Sequence, residues 1–158
     1  MRVLGYVPDA GLQRLIELCH ADRAMRCVVL TTEEEGIGLA AGAWLGGVRT
    51  ALLMQSSGVG NCINALGMTR VCAVPLLMLV TMRGERGEFN SWQVPMGRAT
   101  ARVLANMGVK VFRASRIADV MPSVKKAINL VNGKNGAAAV LIAQRVIGIK
   151  RFQEKAAR

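Results

Sequence analysis

Residues 31–61, TTEEEGIGLAAGAWLGGVRTALLMQSSGVGN, decide the reading of this chain. They divide into the end of a strand, a small-residue apolar helix, a second strand at Thr50–Met54, and a Gly/Ser loop that leads into another helix. Thr31 or Thr32 can cap the first helix, and Gly46-Gly47 supplies a C-terminal stop. With almost no polar residue along it, that helix is expected to be buried. Three carboxylates, Glu33, Glu34 and Glu35, stand at its start. The bland role for them is favourable charge at a helix N-terminus, worth about 0.3–1 kcal/mol. Helical spacing separates them, however. Glu33, Ile37, Ala40, Ala41 and Trp44 share one face, so Glu33 points along an apolar stripe, where desolvation favours a shared proton. Glu34 and Glu35 fall on other faces and are expected in solvent.

Outward from this stretch, strands and helices alternate. A helix is expected within residues 8–26, with Asp9 as its N-cap, and a buried strand at Cys27–Leu30. After the central stretch come a helix over Val59–Val71, a strand at Leu76–Thr81, and an irregular polar loop from Met82 to Trp92. Then follow a helix from Pro95 to Met107, a strand at Val109–Phe112, a helix at Ile117–Val131 and a last strand at Ala137–Ile142. Such alternation predicts an α/β fold, a three-layer parallel sheet with helices on both faces. Ligands in such sheets bind beyond the carboxyl ends of the strands. Thr31–Glu35, Gln55–Asn61 and Met82–Gln93 therefore share one edge, and they hold most of the conspicuous polar residues. One domain over residues 1–149 and a charged tail at 150–158 account for the 158 residues.

Composition narrows the function classes. Hydrophobic residues make up 52% and aromatics 4%, so the core must be aliphatic. The longest apolar run, Val71–Met82, is interrupted by Pro75 and is too short for a membrane span, which needs roughly 18 or more residues. No apolar run follows Arg2 before Asp9, so no secretory signal is expected and the chain reads as cytoplasmic. Cys19, Cys27, Cys62 and Cys72 form no CxxC pair and read as reduced core cysteines. His20 is the single histidine, which argues against a His-based metal site or a Ser-His-Asp triad. A net charge of +11 favours anionic partners. The basic residues are scattered and lack interleaved aromatics, so a nucleic-acid interface is not expected.

Among the remaining candidates, Gln55–Asn61 has neither GxxxxGK[ST] nor GxGxxG, and as a phosphate cradle it is a weak signal. Arg83, Glu85, Arg86 and Glu88 read as surface ion pairs of little energetic value. Arg83 stands apart because it follows directly on a buried strand. Its planar fork suits a phosphonate, sulfonate or carboxylate.

The segments EEEGIGLAAGAWLGG and MQSSGVGN resemble the pyrimidine-binding domain of thiamine-diphosphate enzymes. Within that superfamily the chain is most similar to sulfopyruvate decarboxylase alpha subunits and to the N-terminal half of phosphonopyruvate decarboxylases. VTMRGERGEF, QVPMGRAT and VLANMGVKVFR extend the similarity over nearly the whole chain. The family's cofactor-activating glutamate precedes the glycine of an AAG or ADG element by nine residues. Here that glycine is Gly42 and the glutamate is Glu33, the residue the helical face had singled out. The resemblance implies that Glu33 hydrogen-bonds N1′ of the cofactor's aminopyrimidine and begins the proton relay that prepares its carbanion. The implied reaction is decarboxylation of a 2-oxo acid, whose 3-position carries a sulfonate or phosphonate, to an aldehyde.

By the same resemblance Gln55, Ser56, Gly58 and Asn61 join Glu33 around the cofactor. Ser57, Arg83 and Gln93 face the substrate. Phosphonopyruvate decarboxylases carry Pro-Gln-His where this chain has Ser91-Trp92-Gln93, which leans toward sulfopyruvate. The superfamily's Gly-Asp-Gly diphosphate and Mg²⁺ motif has no counterpart; Asn132-Gly133-Lys134-Asn135-Gly136 lacks the carboxylate and reads as a turn. The resemblance thus implies no metal ligand on this chain. It implies a hetero-oligomer of paired alpha and beta units, in which a diphosphate-binding beta subunit holds the Mg²⁺. A decarboxylase of another acidic 2-oxo acid, or a noncatalytic α/β nucleotide- or nucleic-acid-binding module, are the rival readings.

Overall fold

A computed structural model describes residues 1–133 and 136–148; the tail expected at 150–158 lies outside the described residues. In chain order the elements are β1 (Val3–Tyr6), α1 (Gln13–Ala21), β2 (Arg26–Val29), α2 (Glu33–Leu45), β3 (Thr50–Gln55), α3 (Ser56–Val71), β4 (Leu76–Thr81), α4 (Val94–Asn106), β5 (Lys110–Ala114), α5 (Ile117–Gly133), β6 (Ala137–Ile142) and α6 (Gln144–Ile147). The strands form one six-stranded sheet in the order β2-β1-β3-β4-β6-β5, and each adjacent pair is parallel. This is the expected three-layer α/β architecture.

Burial of both sheet faces explains the strand sequences. LLMLVT of β4 and AAAVLI of β6 are continuous apolar runs, buried at every position, as a sheet covered on both sides requires. On one face α2, α3 and α4 pack through Ile37, Val59, Leu66 and Leu104 against Leu52, Met54, Met78 and Leu141. On the other face Leu12, just before α1, with Ile16 of α1 and Ala127 and Val131 of α5, packs against Leu4, Leu53, Leu79 and Val140. The chain leaves β1 toward one face and β3 toward the other. A crevice between neighbouring strand ends opens at such a switch point.

α2 carries the site. Thr32 caps it, its hydroxyl accepting from the Glu34 N–H at 3.2 Å, while the Glu35 carboxylate accepts from the Thr31 N–H at 2.8 Å. Gly36 lets the helix lie close on β3, since a Cβ there would stand 2.4 Å from Cδ1 of Leu52.

Several expectations are corrected. Residues 3–6 form a strand that their shortness concealed, and α1 is confined to Gln13–Ala21 with Leu12 in the capping position; Asp9 is therefore not a helix cap. Ser56–Asn61 is not a loop: β3 runs directly into α3. α2 is not buried all round, because Leu45 keeps 82% of its surface exposed. Of the four cysteines, all free, Cys62 alone is buried and Cys72 is exposed.

Candidate active site

Glu33 opens α2 and is 8% exposed. Its Oε2 accepts from Asn61 Nδ2 of α3 at 2.8 Å, and Oε1 receives no hydrogen bond from a described residue. Helix α3 makes room for it at Gly58, where a Cβ would sit 2.2 Å from Glu33 Oε1. Any side chain at 58 would displace the carboxylate, which explains a glycine in the first turn of a helix despite its cost of about 1 kcal/mol there. Beneath lies Cys62, whose thiol is pushed up to about 12, chiefly by burial and then by the Glu33 charge. It is an inert neutral neighbour, not a nucleophile. The arrangement is one carboxylate, anchored through one oxygen only, between the starts of α2 and α3.

A second cluster lies along the same strand ends. Asp9, just beyond β1, is 7% exposed. It accepts from Gln55 Nε2 at 2.7 Å and from the Thr81 hydroxyl at 2.8 Å. The Gln55 oxygen in turn accepts from Arg83 Nη1 at 3.4 Å, so the amide is gripped at both ends. Arg83 donates Nε and Nη2 to the two oxygens of Glu88 at 2.7 and 2.6 Å and lies 5.6 Å from the Phe89 ring centroid. Glu88 also accepts from the backbone N–H of Gly84 and Asn90 and from Gln144 Nε2. The Arg83 fork holds its carboxyl down at about 2, ahead of the backbone donors.

The structure thus divides the expected site residues. Glu33, Gly58 and Asn61 converge. Gln55 belongs to the Asp9–Arg83 chain, and Ser56, fully buried, accepts the Arg83 N–H at 3.0 Å, tying the β4 exit to the start of α3. Ser57 is half-buried on α3. Gln93 sits in a single 3-10 turn, Ser91–Gln93, with its Oε1 buried and without a partner. Arg83 and Glu88 are corrected from surface pair to buried pair, with side chains 7% and 1% exposed. Arg83 is not a bare cation offered to solvent, because Glu88 matches its charge. Sequence reasoning missed Asp9, Glu88 and Gln144. Asp9 would have been found by reading Val3–Tyr6 as a strand, which sets the following turn at the ligand edge. A cavity of about 440 Å³ lined by Tyr6, Pro8, Asp9, Gln13 and Glu17 opens on the α1 side, away from the face where Glu33 stands.

Compared with known proteins, the chain is 41% identical over 138 residues to a sulfopyruvate decarboxylase subunit alpha of Methanothermobacter thermautotrophicus, covering 86% of this chain and 83% of the relative. The chain belongs to the sulfopyruvate decarboxylase alpha-subunit family. A phosphonopyruvate decarboxylase of Streptomyces viridochromogenes matches this family member less extensively, at 38% over 62% of the chain and 25% of its own length. No family model matches. Among solved structures, the 2-oxoglutarate:ferredoxin oxidoreductase from Magnetococcus marinus superposes with a TM-score of 0.70 at 12% identity, over 99% of this chain and 31% of that one. That likeness establishes the fold. The named relatives of this sulfopyruvate decarboxylase family member are decarboxylases, so the chain is read as part of an enzyme. Among the described residues no helix is long and apolar enough to cross a membrane.

Proposed function

We propose that the chain is the pyrimidine-binding subunit of a heteromeric, thiamine-diphosphate-dependent decarboxylase that converts sulfopyruvate to sulfoacetaldehyde and CO2. The observation that carries this reading is the Glu33 carboxylate, sheltered from solvent, anchored through one oxygen and bare at the other. An aminopyrimidine fits this donor set: a ring nitrogen can share the carboxyl proton, and Gly58 leaves the oxygen unshielded. When bound, thiamine diphosphate supplies the carbanion that makes loss of CO2 from a 2-oxo acid possible.

The chain's own residues then have separable tasks. Glu33 holds and moves the proton, and Asn61 fixes its rotamer. Gln55, clamped between Asp9 and Arg83, and Ser57 shape the pocket wall beside it. Ser56 ties the β4 exit to the start of α3, and Gly58 lets α3 lie close against Glu33 of α2. Gln93 is assigned to the substrate end, where its amide N–H groups, rather than its buried Oε1, can donate to an acidic group. Arg83 acts there through Gln55 and Nη1 rather than as a free anion clamp. Overall, a 2-oxo acid takes up one proton and yields an aldehyde and CO2.

The diphosphate and its Mg²⁺ are assigned to a beta subunit. Among the described residues no group of three or more His, Cys, Asp or Glu is placed to hold a metal ion. The face offered to that partner is the outer side of α2 and α3. Leu45 and Val71 are 82% and 85% exposed there, around an apolar hollow of about 190 Å³ lined by Ala41, Trp44, Leu45, Met68, Cys72 and Val74. Isolated apolar residues need no explanation, but a contiguous apolar patch marks an interface.

The test is co-expression with a beta subunit bearing the diphosphate motif, calorimetric titration with thiamine diphosphate and Mg²⁺, and assay of CO2 release. Turnover of sulfopyruvate well above phosphonopyruvate is expected. Absence of cofactor binding by the assembled pair would end this reading, and preference for phosphonopyruvate would reassign the substrate.

A further inference from the structure

A cavity of about 280 Å³ lies at the carboxyl ends of β5 and β6, lined by Glu85, Arg86, Arg113, Ser115, Ala143 and Arg145. Neighbouring strands stand about 4.8 Å apart, and β4 and β6 separate β5 from β3. The cavity is thus roughly 10–14 Å along the edge from Gln55, further than a three-carbon acid reaches. Nothing in the proposed chemistry uses it.

Its charge is unbalanced. Three guanidinium groups meet one carboxylate, Glu85, which pairs with Arg113 through Oε1 and accepts the Gln144 N–H through Oε2 at 2.8 Å. Arg145, an exposed residue at the cavity's rim, is held there by its Nε–H, which donates to the Ser115 carbonyl at 2.6 Å, leaving both its Nη groups without a described partner. Arg86 makes no hydrogen bond or ion pair with a described residue. Two positive charges therefore remain uncompensated around a concave site of small-ligand size. Planar guanidinium forks suit the oxygens of phosphate, sulfonate and carboxylate groups.

We infer that this cavity is a second anion site, for a small molecule bearing a doubly charged or paired acidic group, distinct from the pocket at Glu33. Glu85 and Gln144 link it to the Arg83–Glu88 pair: the Glu85 N–H donates to Gln144 Oε1 at 3.1 Å, and Gln144 Nε2 donates to Glu88 at 3.1 Å. An anion here stiffens the loop between β4 and α4 from its far end.

The experiment is titration of the chain with inorganic phosphate, sulfoacetate and malonate, each against sodium chloride at equal ionic strength. Calorimetry and arginine Nε NMR give the readout. Saturable binding at one site is expected, with the Arg86, Arg113 and Arg145 resonances shifting together. Arg86→Gln and Arg145→Gln should each weaken it about tenfold, while Glu33→Gln leaves it unchanged. Arg86→Gln removes a side chain with no described partner and so does not risk the fold. A preference for phosphate assigns a phosphate or phosphate ester; a preference for the sulfonate assigns a substrate- or product-like anion; either supports the site. Non-saturating shifts, or equal binding by the Arg86 and Arg145 variants, would overturn it. Because no cofactor or partner subunit enters the assay, its failure is separate from failure of the decarboxylase reading.

Discussion

Glu33 and Glu88 are both carboxylates withdrawn from water at the same sheet edge, and the chain treats them in opposite ways. Glu88 is saturated. It receives two guanidinium bonds, two backbone N–H groups and the Gln144 amide, and its charge is locked in place. Glu33 receives one amide donor and keeps an oxygen bare beside a glycine. A carboxylate held only as a charge does no proton chemistry. On the proposed reading, the carboxylate that is sheltered yet incompletely bonded is the one that meets the cofactor. The two acids then differ in their hydrogen-bond partners rather than in burial.

The comparison breaks most readily at Glu33→Gln, which keeps the shape and removes the shareable proton. Decarboxylation by the reconstituted complex should fall on the order of 10³-fold, while the melting temperature of the chain moves by no more than about 2 °C. A melting loss like that of a Glu88 variant would erase the distinction.

Glu88→Gln should show the reverse emphasis. Leaving Arg83 buried without a counter-charge costs about 3 kcal/mol, read as a lower urea midpoint. Glu88 also carries a pH signature. Its folded-state carboxyl is lowered from 4.5 to about 2, so its contribution is complete above the unfolded value and is lost as pH falls from about 4.5 to about 2. That component of the acid-unfolding slope should vanish in Glu88→Gln and persist in Glu33→Gln.

Gly58→Ala sharpens the geometric half of the comparison. The added methyl must push Glu33 aside, so a destabilisation of about 1–3 kcal/mol and weaker thiamine-diphosphate binding are expected together, by urea melt and calorimetry. Asn61→Ala is the smallest change. It removes one bond to a charged group at an exposed position, worth about 1 kcal/mol. It should lower turnover more than stability, and an unchanged turnover would show that Glu33 needs no anchor.

Much of the architecture was legible because apolar run length and glycine or threonine stops are local signals. β4 and β6 matched the expected bounds residue for residue, and α2 began at the expected glutamates. The candidate site was legible in part. Helical phase alone isolates Glu33 from Glu34 and Glu35, since a turn of 3.6 residues sends adjacent side chains to different faces. Misreadings came where a signal was short or borrowed. Val3–Tyr6 is too brief for its alternation to declare a strand, so Asp9 was assigned to a helix cap. Ser56–Asn61 looked like a loop because its glycines serve a contact with another helix rather than a turn.

Residue order along the chain, then, was enough to set the layered α/β plan and to single out which of three adjacent acids faces inward. Pairing of groups far apart in the chain was a matter for the folded molecule. Asp9 meets Gln55 and Thr81, Gln144 meets Glu88, and Gly58 yields to Glu33 because parallel strands bring their carboxyl ends to one edge. Local patterning encodes which way a side chain faces, whereas hydrogen-bond partners depend on which strands lie side by side, and that order is set by packing across the whole sheet.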